Sequence, residues 1–365
     1  MMETFWSAVH AFPYTRECAY LNTAATGLAW PGAAAAADNF YGGVLSCGFD
    51  RQEEWQSVAR QAAFSVASIL GAPDLKVDFF SSTTHAFNLV AHSIALESED
   101  EIVLAADEHP SVCEPWLNSP QCAHRVRVVD VQDESSREAL LLAAITPRTR
   151  VLAVSHVHSR TGTRLDLQTL AAECRAKGAL LIVDGIQAVG AVPVDAKGVD
   201  VYCAATFKWL LAGFGLAFIA TSAEARSRLL PAFRGYRNLP PSTGLQYSHL
   251  NYPALYVLLD SLERFAQFSS EIYGRVEELA SRLKEAMLGL GHTIITPLDP
   301  VRSAGIVALS MPDVARAETV RSMLASRRIS VAARGNVIRV SPHFYNSEHD
   351  IQVLTNAWAD IVCPE

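Results

Sequence analysis

The stretch that decides the fold is LLIVDGIQAVGAVPVDAKGVDVYCAATFKWL, residues 180–210, in which two buried strand patterns each lead to a polar residue. LLIVD ends in Asp184, and VYCAA is followed by Lys208. Residues at the carboxyl ends of strands line the ligand crevice of an open α/β sheet, so an acid and a lysine are delivered to one place. Such a pair can hold a heterocyclic aldehyde, with the carboxylate on a ring nitrogen and the amine in an imine. A buried Asp–Lys ion pair, or a lysine on the rim, explains the same spacing.

Short β-rich runs alternate with helical patterns on both sides of this stretch. The first helical pattern is TTHAFNLVAHSIAL (83–96), and a later one, LDLQTLAAECRAKG (165–178), is stopped by Gly178. This alternation predicts an α/β fold with a mostly parallel sheet covered on both faces. The β-rich runs are 77–80, 102–106, 125–131, 151–157, 180–184, 201–205 and 215–221.

The composition changes after about residue 225. A Pro-, Gly- and polar-rich segment at 234–252 predicts a loop, and a long helical pattern covers about 253–290. Strand patterns at 305–311 and 337–341, with helices near 316–327 and 347–361, predict a smaller α+β unit. We therefore expect a large domain over 26–250 and a small C-terminal domain over 251–365.

Composition excludes several classes of protein. The 365 residues carry a net charge of −8 and no long basic tract, so neither nucleic acid nor an anionic membrane is expected as a partner. No apolar run is long enough to span a bilayer, and the N-terminus shows no signal-peptide pattern. Seven scattered cysteines without a Cys-x-x-Cys pair predict reduced thiols in the cytoplasm. No metal site is expected, because His156 and His158 alternate along a strand end and point to opposite faces.

Two further segments follow strands and could contact a ligand. Ser82-Thr83-Thr84-His85 precedes a helix, where hydroxyl groups cap free N–H groups and where anions also bind. His109, in DEHPS, could lie flat over a bound heterocycle. Plain helix capping and a structural histidine are the simpler interpretations of these residues.

Four motifs, taken together, resemble one protein family. EHPS, HVHSRTG, VDGIQAVGAVPVD and ATFKWL occur in the order found in class V aminotransferases, cysteine desulfurases, kynureninases and isopenicillin N epimerase-like enzymes. The likeness runs from about Tyr20 to residue 360. It implies the fold type I of pyridoxal 5′-phosphate enzymes, with a mostly parallel seven-stranded sheet in the large domain. It also implies that residues 1–25 pack on the small domain and the active site.

The resemblance assigns roles in holding the cofactor ring. Lys208 matches the Schiff-base lysine that also moves protons at the substrate α-carbon, and Asp184 matches the partner of the pyridine nitrogen. Gln187 matches the donor to the phenolic oxygen, and His109 matches the histidine that stacks on the ring. Ser159 stands where many relatives carry an asparagine near that oxygen.

It also assigns contacts to the phosphate and the substrate. Thr84 and the backbone of His85 match the phosphate-binding turn, since TTHAFNLVA parallels the desulfurase TTEGINLVA. IRVSPHFYNSEHDI resembles the segment whose arginine grips the substrate carboxylate, which points to Arg339. Arg334 and Asn22, the latter in YLNTAATGL, are further candidates for substrate contact.

The sequence departs from the desulfurase pattern at the phosphate and in one loop. Ala205, Thr206 and Phe207 replace Ser-Gly-His, so two phosphate ligands are absent and only Thr206 could replace them. Asn251 takes the place of a phosphate-binding threonine. ISVAARGNVIRVS predicts a tight turn without the desulfurase cysteine, so a persulfide-forming desulfurase is not expected.

The resemblance implies an enzyme that acts at the α-carbon of an amino acid, a small-molecule substrate. An aminotransferase-type reaction is our first expectation; a C–S or β-eliminating lyase and an epimerase share the same residues. A non-catalytic relative would need neither Lys208 nor Arg339, and both are present. The family also implies a homodimer with the cofactor near the interface.

Overall fold

Each β-rich run predicted between residues 77 and 221 forms a strand in the computed structural model, which describes residues 4–240 and 244–362. The strands are β1 (Ala19–Tyr20), β2 (Lys76–Phe80), β3 (Glu101–Ala105), β4 (Val126–Val129), β5 (Thr149–Ser155), β6 (Leu180–Asp184), β7 (Val201–Ala205), β8 (Ala217–Thr221), β9 (Val307–Ser310), β10 (Ile329–Ser330), β11 (Ala332–Ala333) and β12 (Val337–Val340).

Seven of these strands form one sheet in the order β2-β8-β7-β6-β5-β3-β4. Only β8 runs antiparallel to its neighbours in this sheet, so the predicted mostly parallel, seven-stranded sheet is confirmed. Along β6, Leu181 and Val183 contribute to the core on one face, whereas Leu180 and Ile182 contribute to the core on the other. Successive side chains of β6 point to opposite faces of the sheet, and both faces are buried. Every position of the strand is therefore apolar until Asp184.

Helices cover both faces of the sheet and begin at polar caps. The Asp166 carboxylate accepts the first amide hydrogens of one helix, and Gly178 ends that helix in the left-handed conformation, as predicted. None of the described helices is long and apolar enough to cross a membrane. The helices are α1 (Phe5–Val9), α2 (Ala33–Cys47), α3 (Gln52–Ile69), α4 (Thr83–Ser93), α5 (Pro110–Leu117), α6 (Arg137–Ala144), α7 (Leu167–Lys177), α8 (Ala223–Arg228), α9 (Tyr252–Gly289), α10 (Val314–Ser326) and α11 (Glu348–Val362), with short 3-10 turns at Pro13–Arg16, Gly48–Arg51, Ala123–Arg125 and Pro300–Arg302.

The C-terminal unit contains the predicted α+β arrangement. Its sheet has the order β11-β12-β9, and α10 and α11 pack against the same core. The N-terminal segment joins this unit, because β1 pairs with β10 and Asn22 forms a bridge to Ser341. Helix α9 connects the two units: it is kinked at Phe268, with Leu255 packed in the large core and Leu283 in the small one. The domain limits at residues 25 and 250 stay predictions.

Candidate active site

A cleft of about 980 Å³ lies between the carboxyl ends of the large sheet and the β11–β12 hairpin. Asp184, at the end of β6, and Lys208, after β7, share it as predicted. Seven of the predicted site residues line this cleft: Thr84, His109, Ser159, Asp184, Lys208, Arg334 and Arg339.

Lys208 lies in a loop that the N-terminal segment holds in place. The Gly27 amide donates to the Phe207 carbonyl at 3.0 Å. A Cβ on Gly27 would lie 2.0 Å from the Lys208 carbonyl oxygen, so only glycine permits this approach. The lysine is 9% exposed. Burial, together with the Arg339 charge, lowers the pKa of Lys208 to about 8, so a larger fraction of its amine is neutral near physiological pH than in an exposed lysine.

Asp184 is buried beside the lysine. One of its carboxylate oxygens accepts the Ile186 amide at 2.9 Å, which orients the side chain. Burial raises the pKa of Asp184 to about 7, although that amide and Lys208 act in the opposite direction. A carboxyl group with this pKa can share a proton with a basic ring nitrogen.

His109 forms one side of the cleft as the N-cap of α5. Its Nδ1 accepts the Ser111 amide at 3.2 Å, which leaves the ring proton on Nε2. Burial and the charges of Lys208, Arg334 and Arg339 lower the pKa of His109, so the ring is neutral. A neutral, planar ring fixed at its edge can stack on a flat ligand.

The start of α4 supplies hydroxyl groups and amides to the cleft. Ser82 accepts the His85 amide at 3.1 Å as the helix cap, and Thr84 hydrogen-bonds to Ser111 at 2.8 Å. The buried Thr83 hydroxyl has no hydrogen-bond partner among the described residues. A helix start with an unpartnered hydroxyl fits an anion such as a phosphate.

Arg339 reaches the cleft from β12 and is 3% exposed. One guanidinium nitrogen donates to the Ser159 carbonyl at 2.7 Å, while Nε and the other nitrogen have no partner among the described residues. No carboxylate in the described part of the chain forms an ion pair with it. Burial, together with the Arg334 charge, lowers the pKa of Arg339 to about 9. This fork is free to bind a carboxylate in two hydrogen bonds.

Two predicted cofactor contacts turn away from the cleft. The Gln187 amide donates to the Ala24 carbonyl at 3.0 Å and accepts the Trp209 indole N–H at 2.8 Å. The Thr206 hydroxyl is within 3.2 Å of the Gly213 and Leu216 carbonyls. Both side chains are therefore engaged inside the protein, and Thr206 does not replace the absent phosphate ligands.

Three other predicted residues also lie elsewhere. Asn22 lies in a groove of the small unit with Cys18. Asn251 caps α9 and donates to the Gly215 carbonyl. It borders a neighbouring pocket, which also contains the His85 side chain. The His85 amide is already hydrogen-bonded to Ser82. Neither the side chain nor the backbone amide of His85 therefore offers a direct contact in the cleft.

A polar network behind His109 was not predicted from the sequence. Glu108 is buried and accepts both the amide and the hydroxyl of Ser155, at 3.0 and 2.5 Å. Arg137, 1% exposed, forms ion pairs with Asp107 and Glu134. The EHPS motif contained a signal for Glu108, which lies three residues after the end of β3, but no motif points to Arg137.

The network includes a group with metal-binding residue types. Asp107, Glu134 and His158 have ligand atoms within 4.8 Å of one another. The Arg137 guanidinium contacts both carboxylates, and His158 hydrogen-bonds to Thr161 at 2.8 Å. The guanidinium group of Arg137 therefore already occupies the position in which a metal ion would contact these two carboxylates.

The family model "Aminotransferase class-V" matches residues 19–354. Isopenicillin N epimerase of Streptomyces clavuligerus is 30% identical over 330 residues, which cover 81% of this chain and 83% of that protein.

Two solved structures share the fold. The apo cysteine desulfurase of Thermococcus onnurineus NA1 has a TM-score of 0.87 at 19% identity, covering 100% of both chains. The cystine C–S lyase C-DES, in a variant with glycine covalently linked to its pyridoxal phosphate cofactor, has a TM-score of 0.86 at 21% identity. That match covers 96% of this chain and 99% of the other.

Proposed function

Because this chain belongs to the class V aminotransferase family, we propose that it is an enzyme acting at the α-carbon of an amino acid. Its cofactor is pyridoxal 5′-phosphate, so the predictions of family, fold and cofactor are confirmed. The single observation that carries the proposed function is the cleft in which a buried lysine and a buried arginine without an acidic partner face one another.

The described residues fit this cofactor. Asp184 would bond its ring nitrogen, His109 would stack on its ring, and the start of α4, with Thr83 and Thr84, would hold its phosphate. When bound, the cofactor withdraws electrons from the substrate α-carbon and so makes its bonds labile. The unpartnered Thr83 hydroxyl supports the phosphate position, because a buried polar group without a partner is costly.

Lys208 and Arg339 would act on different groups of the substrate. Arg339 binds the α-carboxylate through the two nitrogens that have no protein partner. Lys208 holds the cofactor and then removes the α-proton, a role that its lowered pKa favours near neutral pH.

Proton removal is a step shared by several reactions. Transamination was our first expectation and stays a prediction. Epimerisation is the second candidate, because isopenicillin N epimerase is 30% identical over most of the chain. Incubation with single enantiomers in deuterated water distinguishes them, since epimerisation yields the labelled antipode and transamination yields a keto acid. A β-eliminating or C–S lyase would instead release the side-chain leaving group.

The prediction that this is not a persulfide-forming desulfurase is not supported by the comparisons, which include desulfurases. It remains a proposal that rests on the cleft itself. No cysteine is among the described residues that line the cleft, and the hairpin turns tightly at Gly335 and Asn336. Release of alanine and enzyme-bound persulfide from L-cysteine would overturn it.

A homodimer and a cytoplasmic location also stay predictions. Exposed apolar side chains on the loops near α9, including Phe214, Phe233 and Leu239, support a surface that a second copy covers. The described cysteines are all free, which supports a reducing compartment. Light scattering tests the dimer, and a monomeric mass would contradict it.

The decisive experiment for the proposed function compares two buried lysines. We expect borohydride to fix pyridoxal 5′-phosphate covalently to the wild-type protein and to Lys284→Met, but not to Lys208→Ala. Lys284 is a matched control, because burial lowers its pKa to about 8 as well, yet its amine donates to Pro297 and Ser303 away from the cleft. Mass spectrometry of the reduced proteins gives the result. Cofactor attached to Lys208→Ala at the wild-type level would refute the assignment, and absence of cofactor from all three proteins would favour a non-catalytic relative.

A further inference from the structure

Two arginines project from the same face of the β11–β12 hairpin into the cleft. In its antiparallel register Ala332 lies opposite Arg339, and the Arg334 amide donates to the Val337 carbonyl at 2.8 Å. Side chains two residues apart along a strand share a face, so Arg334 is the diagonal neighbour of Arg339. Diagonal neighbours in such a pair have Cα atoms roughly 7–8 Å apart.

Neither arginine is neutralised by an acid of the described chain. Arg334 donates to the carbonyl of its own neighbour, Ala333, at 3.1 Å. A third arginine, Arg160, donates to the Asn336 amide oxygen at 2.8 Å, and its buried Nε has no partner in the described structure. Three guanidinium groups thus face the cleft, and none of them forms an ion pair with an acid of the described residues.

Besides Asp184, which lies beside Lys208, the acids among the described residues that line the cleft form other contacts. Asp107 is paired with Arg137, and Glu108 accepts two hydrogen bonds from Ser155. Asp313, the acid on the same rim as Arg334, caps α10 by accepting the Arg316 amide at 2.7 Å. The arginine side of the cleft therefore presents an excess of positive charge to whatever enters.

We propose that the substrate carries a second acidic group beyond its α-carboxylate, and that Arg334, together with Arg160, binds this group. The inference rests on the proposed function, because it takes Arg339 as the site of the α-carboxylate. Arg339 is buried deep in the cleft and Arg334 is exposed at its mouth. The α-carboxylate thus binds at the bottom, and an acidic side chain points outward.

The physical reason is the mutual repulsion of these cations. Arg334 contributes to lowering the pKa of Arg339, Lys208 and His109, so its field reaches all three groups. A substrate with one negative charge relieves this repulsion only at Arg339. A substrate with two negative charges also places a hydrogen-bond acceptor at the rim arginines, where a charge-assisted bond is stronger than a neutral one.

The test uses matched acid and amide ligands. The probes are aspartate and asparagine, glutamate and glutamine, and 2-aminoadipate and its side-chain amide, titrated into the cofactor-loaded protein. Binding is followed by the change in the cofactor's absorbance and by calorimetry. We expect at least one acid to bind about tenfold or more tightly than its amide. Arg334→Gln should reduce that ratio to near one. Arg321→Gln should preserve it, because Arg321 pairs with Glu318 on the outer surface of α10.

The outcomes separate this inference from the proposed function. Amides that bind as well as their acids would overturn the second acidic group while leaving the enzyme assignment intact. A preference for acids that survives Arg334→Gln would overturn the assignment to Arg334. No response to any of the six ligands, from a protein that does bind cofactor at Lys208, would also overturn the inference.

Discussion

Replacing Arg339 by methionine should make the ligand-free protein more stable and at the same time weaken its binding of amino acids. The side chain is almost fully buried, and its one described bond is to the Ser159 carbonyl at 2.7 Å. Two of its nitrogens have no partner among the described residues. A buried charge without a counter-charge is unfavourable for folding, and methionine keeps most of the stem that packs in the cleft.

The magnitude follows from the pKa of the guanidinium. A fall of this pKa from 12.5 to about 9 corresponds to roughly 5 kcal/mol of unfavourable burial of the charged form. Loss of the hydrogen bond to Ser159 offsets about 1–2 kcal/mol of this. Relaxation around the charge offsets more, so we expect a net gain of about 1–3 kcal/mol in the free energy of unfolding. Because the pKa is lowered in the folded state, the full penalty applies below about pH 9 and fades as the pH rises toward 12.5.

Urea unfolding of the cofactor-free protein at neutral pH measures the gain, and titration of the loaded protein with amino acids measures the loss. We expect the affinity for α-carboxylate ligands to fall by about 30-fold or more, as when one partner of a buried charge pair is removed. Arg339→Lys is the control, since it keeps the charge and should not be stabilised. A methionine variant that unfolds more easily than the wild type would show that the guanidinium has a favourable role in the empty cleft, and the reasoning would fail.

Two further predictions concern the lysine. Gly27→Ala should slow covalent capture of the cofactor about tenfold or more, because the new Cβ would lie 2.0 Å from the Lys208 carbonyl oxygen; Gly42→Ala, with nothing within 4 Å, should leave capture unchanged. The rate of capture by the cofactor-free protein should rise with pH and level off above about pH 8, because only the neutral amine attacks an aldehyde and burial lowers the pKa of Lys208 to that value. A capture rate measured by absorbance that still rises steeply at about pH 10, near the value of a free lysine, would contradict this.

The sequence was sufficient to predict the sheet and the common cleft of Asp184 and Lys208 because both depend on local patterns. β6 and β7 are continuous apolar runs, which is the sequence pattern of parallel strands that are buried on both faces. Asp184 and Lys208 could be placed in one cleft because both follow adjacent parallel strands.

Side-chain direction within a loop could not be predicted in the same way. The Trp209 indole needs an acceptor inside the core and takes the Gln187 amide, which therefore turns from the cleft. The Thr206 hydroxyl likewise bonds to carbonyls of its own loop. Arg137 was missed because its partner Asp107 is distant in sequence, and only the adjacency of the elements brings the two together.

The cleft also couples the two units of the fold. Asp184, Lys208 and His109 belong to the large unit, whereas Arg339 belongs to the small hairpin, and its bond to Ser159 is one of the contacts that join the two units. The bond from Arg160 to Asn336 and the bridge between Thr163 and Ser303 are others. A ligand that binds Lys208 through the cofactor and Arg339 through its carboxylate holds both units at once. Since such a ligand binds only the folded arrangement, it should stabilise the protein most when cofactor and amino acid are present together. Ligand binding to Lys208 on one side of the cleft and to Arg339 on the other should therefore stabilise the packing of the two units against each other.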